Sequence, residues 1–209
     1  MAKLTAPLFS FSASGKLADS LVYMTWKGIN DVRQYVVPAN PKTAAQIIQR
    51  DYVKAAVAKI HAALIRATHA LVAADKSAYA LWGSNEAGPR TWFNQAVKNW
   101  VHTKVKVKIP IIFSDGQTTS KLHTSAVMQV YLNEEVGSSL VAGTFYLGTS
   151  KTSMIQTAAA SVTAGSHASN GANPYTTLVA GVTYFWQFRA NVADPCEHAE
   201  SGIYYFTAT

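Results

Sequence analysis

The feature that most constrains the fold is the alternating pattern in the last part of the chain, residues 174–209. Leu178 is followed by Gly181, a turn-forming residue, and then by Tyr184, six positions after the leucine. Aromatic residues alternate from Tyr184 onward as far as Ala190, and a second alternating run ends the chain. A period of two bounded by turn residues predicts two β-strands joined by a polar loop.

The same pattern extends back to about residue 106. Asp115-Gly116 and the run from Gly171 to Pro174 predict turns. Seven short strands in about 100 residues are typical of an antiparallel β-sandwich. The predicted strands are 109–113, 125–132, 143–148, 155–162, 176–179, 184–190 and 203–207.

Residues 106–209 resemble a fibronectin type III or immunoglobulin-like domain. The resemblance rests on Leu178, Gly181 and Tyr184, and on the alternating strand that follows them. It implies a seven-stranded antiparallel sandwich in which the tyrosine bonds to the backbone upstream and fixes the corner between two strands. Such modules bind, space or decorate more often than they catalyse.

The first half of the chain has a different composition. Residues 1–105 carry 13 Lys and Arg against 5 Asp and Glu, whereas residues 106–209 carry 5 against 6. Alanine-rich runs dominate the first half, and Thr, Ser, Val and Tyr the second. We therefore expect an α+β chain with a hairpin and helical domain over 1–105 and a β-sandwich domain over 106–209.

Helical patterns follow a predicted β-hairpin, whose strands lie at 21–27 and 32–37 around a turn at 28–31. Thr43 and Gln46 have the spacing of a capping box and predict a helix start. A helix is expected over 44–74, followed by a short element over 77–82 and a helix over 90–102. The long helix is apolar over most of its circumference, which favours burial on several sides. Its expected buried face is Ile48, Tyr52, Ala56, Ile60, Ala63, Ala67 and Leu71.

A second resemblance covers the hairpin exit and the helix start. Asn40, Pro41, Thr43 and Gln46 form an Asn-Pro-x-Thr-x-x-Gln sequence after a Gly-bearing hairpin. This arrangement is similar to one in uncharacterised proteins of bacteriophages and prophages. Together with the sandwich, it implies a virion structural protein.

No catalytic, cofactor or metal motif is evident in the sequence. It contains no phosphate-binding loop, dinucleotide fingerprint or H-E-x-x-H pair. Cys196 and His198 lie close together, but a structural zinc site requires about four ligands. We therefore expect a protein that is not an enzyme and that binds neither cofactor nor metal.

The single cysteine precludes an internal disulfide. The N-terminus lacks the apolar core of a signal peptide, and no run of 18 or more apolar residues occurs. The expected location is the virion, after synthesis in a host cytoplasm, without membrane contact.

Basic residues in the first half raise the question of nucleic-acid binding. Lys98, Lys104, Lys106 and Lys108 lie near Trp92 and Trp100, and aromatic residues among basic ones can bind single strands. Alternation of the last three lysines with apolar residues instead resembles an edge strand protected against pairing. We favour the interpretation that these basic residues bind an acidic protein partner.

The expected partners are other virion proteins and further copies of the chain. The role would be head decoration, neck or tail protein, with the first half mediating assembly. An alternative role is a glycan- or cell-surface-binding module that uses sandwich loops such as 165–173. Trp, Tyr and Arg dominate interface energetics, so the candidate assembly residues are Trp26, Arg33, Tyr35, Tyr52, Trp82, Trp92 and Trp100.

Overall fold

The chain divides into two compact units, Met1–Thr43 and Ala44–Thr209. The computed structural model describes residues 15–17, 20–26, 29–37, 40, 42–134 and 139–209. The change of composition near residue 105 therefore falls inside the second unit, where the helices end and the strands begin. The helices belong to the same unit as the sheets because they pack on them.

The first unit contains an antiparallel sheet with strand order β1-β2-β3. Its strands are Gly15–Leu17, Leu21–Trp26 and Ile29–Gln34. The expected hairpin is present, but its second strand starts at Ile29, so the expected turn residues 29–31 are part of the strand. Strand β1 was not predicted, because three residues are too short for a period to be visible.

Three helices open the second unit: α1 (Ala44–Leu64), α2 (Ala73–Ser84) and α3 (Trp92–Val105). Helix α1 begins where the Thr43 pattern predicts, but it ends ten residues before the expected position. The amide of Leu71 donates to the carbonyl of Ala63 at 2.9 Å, so the chain folds back after α1 and restarts as α2. Thr91 caps α3 by accepting a hydrogen bond from the Asn94 amide.

Eight strands follow in two four-stranded antiparallel sheets, one more strand than the seven predicted. One sheet has the order β4-β5-β9-β8 and the other β11-β10-β6-β7. The strands are β4 (Ile111–Leu122), β5 (Ser125–Glu134), β6 (Gly143–Gly148), β7 (Gln156–Ala159), β8 (Ser161–Thr163), β9 (His167–Ser169), β10 (Thr183–Ala190) and β11 (Tyr204–Thr207).

Three strand predictions were wrong. The predicted strand 155–162 is instead two strands, β7 and β8, which lie in different sheets. Residues 176–179 form no strand, because this segment crosses from the sheet of β9 to the sheet of β10. Strand β4 continues to Leu122 through the predicted Asp115-Gly116 turn. Asp115 has a positive φ of 47°, and the β4–β5 register shifts between Ser114 and Gln117. The predicted turn is thus a bulge that lets the strand continue.

The two sheets share one hydrophobic core. Phe113, Met128 and Val130 contribute from one sheet, and Phe145, Trp186 and Phe188 from the other. Alternate residues of β5 and β10 point into it, as a period of two requires.

A second core lies among the helices and contacts the sheets through β4. It contains Ile60, Tyr79, Trp100 and Ile112. Helix α2 connects the two cores, since its Ala78 packs with the sheets and its Tyr79 with the helices. The Tyr79 hydroxyl accepts from the Phe113 amide at 3.1 Å and lies 3.2 Å from the Phe113 carbonyl.

Candidate functional site

The apolar face of α1 is buried at one end only. Ala56, Ile60 and Ala63 are buried against the helical core. Toward the start of the helix, Ile48 is 47% exposed, although it lies on the same face four residues before Tyr52. Ile47 and Val53, which widen that face, are also exposed. The first half of α1 therefore presents an apolar surface that the core of its own unit does not cover.

Three predicted assembly residues lie in the first unit. Trp26 ends β2 and pairs with Ile29. Arg33 is exposed on β3, and Tyr35 is half-buried directly after it. The Tyr35 amide donates to the Ser20 carbonyl at 2.7 Å, which ties the end of the hairpin to its beginning.

Four predicted assembly residues lie on the helices. Tyr52, Trp82 and Trp92 are half-buried, and each retains some accessible surface. Trp92 packs edge-on against Phe93, with Lys76 Nζ 5.5 Å from its ring centroid. Trp100 is only 1% exposed, in the middle of the helical core. It is therefore a core residue of this chain and offers no surface to a partner.

The predicted corner residues come together before β10. The Val179 amide donates to Tyr184 Oη at 2.9 Å. Gly181 has a φ of +80°, a conformation that glycine adopts without steric cost. Leu178 and Tyr184 are 7% and 5% exposed and belong to the core between the sheets. The chain therefore turns sharply into β10 around a buried tyrosine ring.

A buried carboxylate that the sequence analysis missed joins helix α2 to the sheets. Asp75 is fully buried. Its Oδ2 accepts from the amides of Val72 and Asp115, at 2.8 and 2.9 Å. Its Oδ1 accepts from the Gly116 amide at 3.0 Å and the Tyr204 hydroxyl at 2.7 Å. Asp75 is the third residue of α2, a position where side chains often accept hydrogen bonds from free backbone amides. This position was the sequence signal that could have identified it.

A histidine–aspartate contact beside this carboxylate has the parts of a catalytic dyad, but the neighbouring serine is not placed to act as its nucleophile. His69 Nδ1 lies 2.7 Å from Asp115 Oδ2, and the His69 ring stacks on Tyr131. Ser114 is buried, and its hydroxyl donates to the backbone carbonyl of His69, so the ring does not activate it. Nucleophilic catalysis needs the base within hydrogen-bond reach of the nucleophile. The arrangement fixes the loop after α1 onto β4.

Cys196 is an inert thiol in this structure. It is fully buried, and burial raises its pKa to about 12, with nearby Glu134 and Asp194 adding to the effect. The neighbouring His198 ring faces His102, with 5.2 Å between the ring centroids. A reactive cysteine requires accessible thiolate, which this position does not provide.

The described residues hold neither a metal-binding cluster nor a membrane-spanning helix. Across these ranges, no cluster of three or more His, Cys, Asp or Glu side chains could hold a metal ion. None of the helices described combines the length and apolarity needed to cross a bilayer.

The basic cluster differs from its predicted arrangement. Lys104 lies on α3, and Lys106 and Lys108 follow the helix end, so these lysines form no edge strand. Lys98 pairs with Glu86 at 2.7 Å, and Lys108 pairs with Glu197 at 2.9 Å. The charges of Lys98 and Lys108 are therefore offset by carboxylates.

The loop 165–173, the predicted glycan-binding segment, directs much of its hydrogen bonding inward. It contains β9, and Asn170 within it is fully buried. Asn170 Oδ1 accepts from the Met128 amide at 2.6 Å, and Nδ2 donates to Ala126 at 3.3 Å. Asn170 serves to hold the loop onto β5.

Comparison with protein-family models, with curated proteins and with solved structures finds no significant match. Assignments of fold type and function therefore depend on the geometry of this chain.

Proposed function

We propose that this chain is a non-enzymatic structural component of a bacteriophage particle, in the class of head decoration, neck or tail proteins. It assembles through its N-terminal half with copies of itself and other virion proteins. Its C-terminal strands form a fibronectin type III-like β-sandwich that is displayed on the particle.

The observation that carries this proposal is the half-covered face of α1. Ile48 continues the stripe that is buried at Ala56 and Ile60, yet it is 47% exposed. Burying such apolar surface against another chain would stabilise the complex by about 25 cal/mol per Å² removed from water. An apolar stripe that extends beyond its own core is suited to contact with another chain.

The sheet topology supports the proposed type of domain. One sheet holds the first, second, fifth and sixth of these eight strands and the other holds the remaining four, so the chain crosses between the sheets as in an immunoglobulin-like sandwich. The Tyr184 contact with Val179 lies at the start of β10, as in a tyrosine corner. The resemblance of residues 32–50 to phage proteins supports the proposal that the chain is part of a phage particle.

The test uses two variants of the full chain, supplied to particles assembling in the source organism. Ile48→Lys places a charge on the exposed apolar face, and Gln49→Lys places the same charge on the neighbouring polar, exposed position. Particles are banded on a density gradient, and their proteins are quantified by mass spectrometry. We expect the wild-type chain and the Gln49→Lys variant in the particle band and the Ile48→Lys variant at the top.

Two results contradict the proposal. If the wild-type chain is absent from DNA-filled particles, it is not a component of the virion. Equal incorporation of both variants, with unchanged unfolding free energies, removes the α1 face as the assembly surface.

A further inference from the structure

A small polar pocket lies between α2, α3 and the segment before β11. Its volume is about 220 Å³. Gln95, Asn99 and His102 line it from α3, where spacings of four and three residues place them on one face. Trp82 of α2 forms one wall, and His198 and Glu200 form another.

Hydrogen bonds from α3 hold the second wall in place. Asn99 Nδ2 donates to the Glu200 carbonyl at 3.0 Å. Thr103 Oγ1 donates to the His198 carbonyl at 3.3 Å. Both acceptors are backbone atoms, and the Glu200 carboxylate also accepts from Gln187 Nε2 through Oε2 at 3.3 Å.

Gln95, which lines the pocket, is fully buried. Within the described part of the chain, neither Nε2 nor Oε1 of its side-chain amide has a hydrogen-bond partner. A buried polar group without a partner is strongly unfavourable, and native structures rarely retain one. The amide offers one donor site and one acceptor site side by side, which is the complement of another amide.

The pocket favours an uncharged ligand. Glu86, which also lines it, is paired with Lys98 at 2.7 Å and with Arg90 at 3.2 Å. Glu200 lies 3.7 Å from Arg189. Burial raises the pKa of Glu200 and lowers the pKa of His102, so it favours the neutral form of both groups.

We propose that this pocket binds the acetamido group of an N-acetylated sugar. The acetamido carbonyl and N–H pair with the Gln95 amide, and the methyl and ring C–H groups pack on the half-buried Trp82. Sugar hydroxyls bond to Asn99, His198 and Glu200, a set of partners that a simple amide would not use. Gln95 is fully buried in this structure, so the ligand reaches its amide only after Lys98 and His102, which are exposed at the mouth, change rotamer.

The first experiment is saturation-transfer NMR on the full wild-type chain with N-acetylglucosamine, and with glucose as the analogue lacking the acetamido group. We expect the acetyl methyl to receive the strongest saturation, and glucose to bind at least about tenfold more weakly, since two hydrogen bonds are lost. No signal from N-acetylglucosamine, or equal binding of glucose, overturns the proposal. The first of these is the outcome if ordered water alone satisfies Gln95.

The second experiment compares two variants. Gln95→Met keeps the side-chain volume and removes the amide, whereas Gln156→Met makes the same change at an exposed position on β7. We expect N-acetylglucosamine affinity to fall at least about tenfold in the first and to be unchanged in the second. The melting temperature of Gln95→Met should equal or exceed that of the wild type, because an unpaired amide is removed. Unchanged affinity in Gln95→Met overturns the proposal.

Binding of N-acetylglucosamine in this pocket does not require the chain to assemble into particles. If the chain binds N-acetylglucosamine but is absent from particles, the sugar-binding pocket is supported and the virion role is contradicted.

Discussion

The hydroxyl of Tyr204 donates a 2.7 Å hydrogen bond to Oδ1 of Asp75, 129 positions earlier in the chain. Both residues are buried. Burial, and next the negative charge of Asp75, raise the pKa of Tyr204, so its hydroxyl stays protonated and remains a donor. This contact joins the last strand to the second helix, and the same carboxylate holds the bulge of β4.

Replacing Asp75 should destabilise the whole second unit. Asp75→Asn puts an N–H₂ group in place of an oxygen that accepts two hydrogen bonds, so donors face donors. We expect the free energy of unfolding in urea to fall by at least about 3 kcal/mol. Tyr204→Phe removes one donor and should cost about 1–3 kcal/mol.

Asp51→Asn on the exposed part of α1 is the control, with an expected effect within about 0.5 kcal/mol. If Asp75→Asn changes the free energy of unfolding as little as that control does, the carboxylate does not hold α2 to the sheets.

The second prediction concerns the contact of Gly202 with α2. A Cβ at Gly202 would lie 2.7 Å from the backbone carbon of Ala78. The Ile203 amide also donates to the Ala78 carbonyl at 3.0 Å, so the helix cannot withdraw freely. Gly202→Ala should therefore lower the unfolding free energy by about 1–3 kcal/mol, measured by denaturant titration.

Gly88 provides the matched substitution, because a Cβ there meets no atom within 4 Å. Gly88→Ala should be neutral or stabilise by up to about 1 kcal/mol. Equal effects of the two substitutions would show that the close packing of α2 on residue 202 is absent in solution.

The third prediction concerns the corner before β10. Tyr184→Phe keeps the buried ring and removes the acceptor of the Val179 amide. The expected loss of unfolding free energy is about 1 kcal/mol, the usual net value of one hydrogen bond. Tyr205→Phe, at a hydroxyl on a 66% exposed side chain, serves as comparison and should change stability by less than about 0.5 kcal/mol.

The fourth prediction concerns the thiol of Cys196. Its pKa is raised to about 12 in the folded protein against an ordinary value of 9.0. The neutral thiol therefore contributes stability that is fully present below pH 9 and is lost as the pH approaches 12. At pH 8, dithionitrobenzoate should leave the native thiol unmodified for hours and titrate one thiol per chain in urea. Rapid reaction of the native protein would show that this segment opens.

The helix predictions show which signals a sequence carries locally. The start of α1 was predicted correctly because Thr43 and the residues that follow carry a local capping pattern. Its end at Leu64 was missed because the apolar period continues through Ala67 and Leu71. Only the contact between Leu71 and Ala63 shows that the chain reverses there.

The sequence by itself determined the class of the second half and the corner residues, since alternation and turn chemistry act within a few positions. Tertiary structure decided which polar residues matter. Asp75 and Gln95 lie on helices with ordinary composition. The significance of Asp75 comes from donors that distant segments supply, and that of Gln95 from its burial without a bonded partner among the described residues. It also decided that Trp100 is core while Ile48 is surface, because burial depends on what packs against a side chain and the sequence names only the side chain.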